Sequence, residues 1–254
     1  MIRNFKILLL LILGFALFSC KFGREKEKDP EFYISLGDRL MTEQYYAEAA
    51  EQYTNAILLE PNSAETYNKR GLAYLSTGEY EKAKFDFETA IFKDPDLFDA
   101  YNNLGLAYEK LGEYDKALLE WQQLIDQKPE YANAYFNIGN HYFKEGDYLL
   151  AIDYFSDAIK LNPEDAEAYR QRAVSHKMRG EIEKAISDYK EAVDENPYFS
   201  DAFLELAEIQ FDRGNFEDAI DNYTDAIELA SYPVAVFKRG VAYAETGKYY
   251  HAAD

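Results

Sequence analysis

The sequence predicts an all-α protein built from a repeated pair of short helices, and three periodic features lead to this prediction. Alanines recur at intervals of 34 residues, at Ala49, Ala83, Ala117, Ala151, Ala185 and Ala219. Aromatic residues and turn glycines keep the same interval, and most units close with a proline. A period of roughly 20 to 50 residues indicates an array of one supersecondary unit and not a single globule.

The second unit shows why each repeat is expected to form two helices. Tyr67, Gly71 and Tyr74 are spaced i, i+4 and i+7, so they share one face of a first helix. Gly78 marks the turn that follows, because glycine tolerates the backbone angles of a tight turn. The second helix ends before Pro95, which cannot continue a helix and lacks an amide donor.

The order of these residues (aromatic, Gly, Tyr, Gly-x-Tyr, Ala, aromatic, Ala, Pro) resembles the tetratricopeptide repeat (TPR) family over residues 30–254. The resemblance implies a right-handed superhelical solenoid of antiparallel helix pairs, in which the first helix of each pair lines an inner wall. The predicted repeats are 30–63, 64–97, 98–131, 132–165, 166–199 and 200–232, with a partial seventh at 233–254.

Residues 1–19 predict a secretory signal peptide, with a basic start, an apolar run at 7–18 and a small residue before the break. The apolar run is short for a bilayer span, which needs about 20 residues. The sequence Leu17-Phe-Ser-Cys20 resembles a bacterial lipobox, and this resemblance implies lipidation, such as palmitate, at Cys20. A plain signal peptide with an incidental cysteine and an uncleaved anchor are the alternatives.

Residues 20–29 are charged and lack apolar periodicity, so we predict a lipidated cysteine followed by a tether. Several acyl chains on Cys20 would attach the protein firmly to a membrane, whereas a single chain is marginal. Lys21 stands where an aspartate commonly marks inner-membrane retention in the lipoprotein family. The resemblance therefore implies a bacterial cell-envelope protein on the periplasmic side of the outer membrane.

Charge and composition argue against several classes of function. Removal of Arg3 and Lys6 with the signal peptide leaves 25 basic residues against 47 acidic ones, a net charge of −22. Such acidity opposes binding to phosphate backbones, so we expect no nucleic-acid partner. His141, His176 and His251 occupy different points of the repeat and are not expected to converge on a metal. We recognise no catalytic residues or cofactor motif, and we expect no enzyme activity.

The TPR resemblance implies a groove on the first helices, in residues that point away from the second helices. The predicted groove residues are amides and cations: Lys69, Asn102, Asn103, Lys110, Asn137, Asn140, Lys144, Arg170, Gln171 and Lys177. An amide both donates and accepts, so Asn103 and Asn137, at equivalent places, would form two rungs of a ladder against a peptide backbone. Plain solvation of a helix surface is the alternative interpretation.

The same face becomes acidic in the sixth repeat, at Glu205, Glu208 and Asp212, and could orient a charged segment. The leading prediction is a non-enzymatic scaffold or assembly chaperone that binds a peptide or partner protein in the groove. The alternative is a lipid-anchored solute-binding component of a transport system.

The sequence stops at Asp254, inside the second helix of a seventh repeat. Either the chain continues, or this end contacts another protein or a second copy.

Overall fold

A computed structural model describes residues 29–248, and this range contains 13 α-helices. The predicted signal peptide, Cys20, the tether before residue 29, and residues 249–254 of the partial seventh repeat lie outside the described residues. The chain divides into two compact units, Met1–Ala100 and Tyr101–Asp254.

The helices alternate as first and second members of pairs. The first helices are α1 (Pro30–Thr42), α3 (Ala64–Thr77), α5 (Phe98–Leu111), α7 (Ala132–Glu145), α9 (Ala166–Met178), α11 (Ser200–Asp212) and α13 (Pro233–Glu245). The second helices are α2 (Tyr46–Leu59), α4 (Tyr80–Lys93), α6 (Tyr114–Gln127), α8 (Tyr148–Leu161), α10 (Ile182–Glu195) and α12 (Phe216–Leu229). Because all the regular structure between residues 29 and 248 is helical, the prediction of an all-α chain of helix pairs is confirmed.

The turn within each pair depends on a residue in the left-handed backbone region. Gly78 ends α3 with φ of 80°, and Gly146 ends α7 with φ of 83°. Gln44 occupies the corresponding turn of the first repeat with φ of 64°. Glycine reaches this conformation at no steric cost, which is why the periodic glycines fall at these turns.

The core of each pair is an aromatic side chain of the second helix that packs on a small residue of the first. Phe87 and Trp121 are fully buried in this way. A Cβ atom built on Gly71 would lie 2.6 Å from Phe87 Cε1, and one on Gly105 would lie 2.3 Å from Trp121 Nε1. These distances are too short for a side chain, so glycine at these two places is required by the close approach of the helices.

A buried ion pair joins helices of the first unit. Arg70 on α3 donates from Nε and Nη2 to the two carboxylate oxygens of Asp86 on α4, each at 2.7 Å. Arg70 Nη1 also donates to Thr54 Oγ1 on α2 at 3.1 Å. The hydrogen bonds to Asp86 raise the pKa of Arg70, so the guanidinium stays charged.

The second unit contains the same arrangement 102 residues later. Arg172 donates to both oxygens of Asp188 at 2.8 and 2.7 Å, and its Nη1 donates to Ser156 Oγ at 3.1 Å. In both units the arginine therefore connects the second helix of its own repeat with the second helix of the repeat before.

Among the helices between residues 29 and 248, none combines the length and the apolar character that a bilayer span requires.

Candidate functional site

Predicted groove residues of the second unit lie where two successive first helices meet. Asn137 on α7 donates from Nδ2 to Asn102 Oδ1 on α5 at 2.8 Å. Lys144 on α7 forms an ion pair with Glu109 on α5. Both contacts join residues 35 positions apart, one repeat plus one residue. The structure therefore brings Asn102, Asn137 and Lys144 together on the side formed by α5 and α7.

Arg170 makes the corresponding contact between α9 and α11. Its Nη1 donates to Glu205 Oε1 at 3.2 Å, again 35 residues away. Its Nε and Nη2 donate to Glu167 at 3.0 and 2.9 Å, and this pairing raises the pKa of Arg170. Gln171 Nε2 donates to Glu167 Oε1 at 2.7 Å. The predicted cation is thus held by two carboxylates of the protein itself, and its charge is largely offset.

We call the surface that carries these contacts the first-helix face; it comprises the side of α5, α7, α9 and α11 on which side chains 35 residues apart meet. Two predicted cations on this face are exposed, Lys110 near the end of α5 and Lys177 near the end of α9. Neither lysine forms an ion pair with another residue of the range 29–248. Asn140 on α7 is half-buried. The positive charge open to a ligand is therefore at Lys110 and Lys177.

The two predicted amides of α5 are more buried than the sequence indicates. Asn102 is 7% exposed and Asn103 is 8% exposed. Trp121 Nε1 donates to the backbone oxygen of Asn102 at 3.2 Å, which fixes this part of α5 against α6. Asn137, the equivalent of Asn103 one repeat later, is half-buried. The predicted ladder of Asn103 and Asn137 stays a prediction, and of the two rungs Asn137 is the more accessible.

In the first unit, the predicted groove residue Lys69 is engaged by Asp38. Lys69 Nζ donates to Asp38 Oδ1 and Oδ2 at 2.8 and 2.6 Å. Tyr53 Oη on α2 donates to the same Oδ1 at 2.8 Å. Burial of the phenol, followed by its bond to Asp38, raises the pKa of Tyr53. The Lys69 charge is therefore satisfied within the unit.

The second unit has an equivalent cluster, which sequence reasoning missed. Glu208 on α11 pairs with Lys238 on α13 and accepts a hydrogen bond from Tyr223 Oη at 3.1 Å. Glu205 in turn accepts from Arg170. The acidic end predicted from the sixth repeat is therefore partly neutralised by basic residues of the neighbouring repeats. The 34-residue spacing of Tyr223 from the other aromatic residues was visible, but its hydrogen bond was not.

The fifth repeat has a tyrosine without such a partner. Tyr189 stands where Tyr53 and Tyr223 stand in their repeats, but Val174 occupies the place of the carboxylate. Tyr189 Oη and Glu205 Oε2 are buried, and neither has a hydrogen-bond partner among residues 29–248. Burial, and then the negative charge of Glu205, raise the pKa of Tyr189. The Tyr189 hydroxyl thus interacts with the Glu205 carboxylate but makes no hydrogen bond of standard geometry with it.

No group of three or more metal-ligating side chains occurs between residues 29 and 248. His141 and His176 are buried in different repeats, and His251 lies outside the described residues. His176 Nδ1 lies 2.8 Å from Glu181 Oε2, a contact within its own repeat. What the first-helix face offers is amides, carboxylates and two free lysines, which is chemistry for hydrogen bonding and charge pairing.

Family models agree with this architecture. Models described as tetratricopeptide repeat match residues 132–165, 177–225 and 204–254. A model described as TPR repeat matches 37–78, 71–112 and 110–146. Together the matches span residues 37–165 and 177–254. No curated protein sequence is significantly similar to the chain.

Solved structures show the same fold. A crystal structure of MamA protein is 25% identical, covers 66% of this chain and 92% of its own, and superposes with a TM-score of 0.53. The pilF structure from Pseudomonas aeruginosa is 18% identical, with coverages of 75% and 87% and a TM-score of 0.67. The C-terminal part of a TPR repeat-containing protein from Cytophaga hutchinsonii is 23% identical, with coverages of 85% and 87% and a TM-score of 0.64.

Proposed function

Because the chain belongs to the tetratricopeptide repeat family, whose members serve as protein–protein interaction scaffolds and are generally non-catalytic, we propose a specific role for it. The protein is a lipid-anchored scaffold or assembly chaperone of the bacterial cell envelope. It binds an extended peptide, or a segment of a partner protein, on the first-helix face of its second unit.

One observation carries the proposal: polar side chains of α5 and α7, and of α9 and α11, connect at an offset of 35 residues. Asn137 bonds Asn102, and Arg170 bonds Glu205, each across one repeat. These contacts fix the amides and carboxylates of the face before any ligand arrives. Pre-organised groups lose little conformational entropy on binding, so they favour an extended ligand that spans several repeats.

The chemistry of the face indicates the kind of segment that it binds. Asn137, Asn140 and Gln171 offer amide groups that pair with a peptide backbone whatever its sequence. Lys110 and Lys177 are exposed and free of carboxylate partners in the range 29–248, so they attract acidic side chains of the ligand. The ligand is therefore a mixed-sequence segment that carries at least two acidic residues.

The cell-envelope part of the proposal depends on the amino terminus. The apolar run at 7–18 and the lone Cys20 have the order expected of a lipidated, exported protein. An acylated Cys20 would hold the array at a membrane surface, and the first-helix face would then receive a partner at that membrane.

Photo-crosslinking in intact cells tests the binding face. A benzophenone amino acid is placed at Lys110 or Lys177, and the crosslinked partner is identified by mass spectrometry. Matched control positions are Asp153 on α8 and Asp194 on α10, which are equally exposed but lie on second helices. We expect one partner protein at both lysine positions and not at the control positions.

Introduction of a negative charge completes the test. Asn137→Asp introduced together with the probe at Lys110 places a negative charge on the face, and we expect a lower yield of the crosslinked product, by about tenfold. Equal labelling from the second helices, or a yield that Asn137→Asp leaves unchanged, would contradict the proposal. A small solute retained in native mass spectra, with no crosslinked protein, would favour a transport role.

A further inference from the structure

Four large apolar side chains are exposed on the second helices of the first unit: Leu59 on α2, at 53%, and three that are more exposed. Leu58 on α2 is 73% exposed, and Phe85 and Phe92 on α4 are 62% and 85% exposed. Phe85 and Phe92 are seven residues apart, so they lie on one face of α4. Leu58 and Phe92 are 34 residues apart and hold the same place in consecutive repeats. We call these three residues the apolar patch.

The apolar patch is absent from the same places in later repeats. Equivalents of Leu58 and Phe92 in the third to sixth repeats are all charged: Asp126, Lys160, Asp194 and Glu228. The equivalents of Phe85 in the fourth to sixth repeats are polar or acidic: Asp153, Ser187 and Asp221. Leu119 in the third repeat is the exception. Exposed aromatic residues are costly unless something covers them, and α8, α10 and α12 expose none, so α4 has a surface that these three helices lack.

The charge of α4 also differs from that of the rest of the chain. This helix carries three lysines, Lys82, Lys84 and Lys93, against three acidic residues, and is therefore neutral. The chain as a whole has a formal charge of −20. The helix α4 is therefore repelled less by an anionic phospholipid surface than the acidic remainder, although α2, which carries Leu58, has two glutamates and no basic residue.

A cavity of about 380 Å³ opens beside Phe85. Its walls include Tyr74, Phe85 and Lys82, and the Arg70–Asp86 pair lies among its lining residues. Most of the exposed wall is apolar, but Glu81 also lines it and Lys82 is paired with Glu79. This combination suits the boundary between phospholipid head groups and acyl chains, where an apolar body meets charged groups.

Chain length places a membrane within reach of the apolar patch. Cys20 precedes α1 by ten residues, and a fully extended chain of that length spans at most about 35 Å. Adjacent packed helices lie about 8–10 Å apart, so the first unit of four helices is within this reach of the point of attachment. We propose that the apolar patch docks on a phospholipid bilayer and holds the first unit against the membrane. The inference rests on the proposed lipid anchor for its geometry.

Fluorescence of a site-specific probe tests the docking. Thr89→Cys, between Phe85 and Phe92 on α4, and Asp225→Cys, its equivalent four repeats later on α12, are each labelled with an environment-sensitive dye. The full-length protein is extracted from bacterial membranes and reconstituted in vesicles of phosphatidylethanolamine and phosphatidylglycerol. We expect a blue shift and protection from an aqueous quencher at position 89 and neither effect at position 225.

A double variant tests whether the blue shift depends on the apolar patch. Phe85→Ser with Phe92→Ser removes the patch from the surface, and we expect it to abolish the blue shift while the thermal midpoint stays unchanged. Equal emission at both positions, or a shift that survives the double substitution, would overturn the inference. So would a shift that needs added envelope proteins, which would make the occupant a protein.

The mass of the N-terminal peptide reports acylation of Cys20 in the same preparation. Unacylated protein that still shows the patch-dependent shift would refute the anchor and support the patch. Acylated protein that shows no shift would support the anchor and refute docking through the patch.

Discussion

The second helices of the second and sixth repeats, α4 and α12, share their inner residues and differ in their outer ones. Ala83, Phe87 and Ala90 on α4 correspond to Ala219, Tyr223 and Ala226 on α12, and all six are fully buried. On the outside, α4 is neutral and exposes two phenylalanines, whereas α12 carries five acidic residues and no basic one. Packing therefore constrains only the inner face, and the outer face is free to acquire function.

The inner faces of the two repeats also differ at one pair of equivalent positions, and each repeat satisfies its pair in a different way. In the second repeat, Arg70 pairs with the buried Asp86. In the sixth repeat the same two places hold Leu206 and Asn222, and Asn222 Nδ2 donates to Gln210 Oε1 at 2.8 Å. A charged pair and an apolar–amide pair thus fill equivalent positions. Variants of Arg70 and Asp86 test whether the apolar–amide pair can replace the charged pair without a loss of stability.

The largest effect is expected from Arg70→Leu. This variant leaves the Asp86 carboxylate, whose side chain is 1% exposed, without its partner. Breaking a buried ion pair from one side costs about 3 kcal/mol or more of unfolding free energy. Chemical denaturation followed by circular dichroism measures the loss. Arg70→Leu with Asp86→Asn copies these two places of the sixth repeat, although Tyr74 stands where that repeat has Gln210, and we expect it to recover part of the stability.

Arg172→Leu is the control for this prediction. His176 Nε2 lies 3.8 Å from Asp188 Oδ2, so Asp188 keeps a neighbouring nitrogen when Arg172 is lost. We expect a smaller loss of stability than for Arg70→Leu. If the double variant is no more stable than Arg70→Leu alone, the two pairs are not interchangeable.

A smaller effect is expected from the tyrosine hydroxyls. Tyr223→Phe removes the hydrogen bond to Glu208 and is expected to cost about 1 kcal/mol of unfolding free energy. Tyr189→Phe removes a buried hydroxyl that interacts with Glu205 but makes no hydrogen bond of standard geometry in the range 29–248, so we expect a smaller loss than for Tyr223→Phe. Thermal unfolding of the two variants measures the difference. Equal losses would mean that Tyr189 is satisfied by a group such as a bound water.

The smallest effect is expected from Glu181 and depends on pH. Hydrogen bonds from Lys184, Arg179 and His176 lower the pKa of Glu181 from 4.5 to about 2 in the folded protein. Its stabilisation is therefore present above pH 4.5 and is lost as the pH falls through about 2. Glu181→Gln should be slightly less stable than the parent at pH 7, and the two should converge near pH 2. Equal stability at pH 7 would contradict this prediction.

Sequence reasoning predicted the helices well because their signals are local. The 34-residue period, the turn glycine Gly78 and the pairing of Gly71 with an aromatic residue all depend on neighbours within one repeat. Sequence reasoning was less informative about which charges of the candidate site are free. Lys69, Lys144 and Arg170 were expected to make the inner wall cationic, but each is paired with a carboxylate of a neighbouring repeat. Hydrogen bonds and ion pairs between side chains 35 residues apart depend on how far one first helix is shifted along its neighbour. No pattern within a single repeat gives that shift.

The amino-acid sequence alone determined that this protein is an array of helix pairs, since periodic small and aromatic residues can be buried in no other regular way. Only the tertiary structure decided which charges remain free, because an ion pair forms between side chains that packing brings within about 4 Å, whatever their separation along the chain. Lys110 and Lys177 differ from Lys144 for that reason: only Lys144 has a carboxylate of another first helix, Glu109 on α5, within reach. The same reasoning applies to Phe92, whose exposure follows from the direction in which α4 buries Phe87.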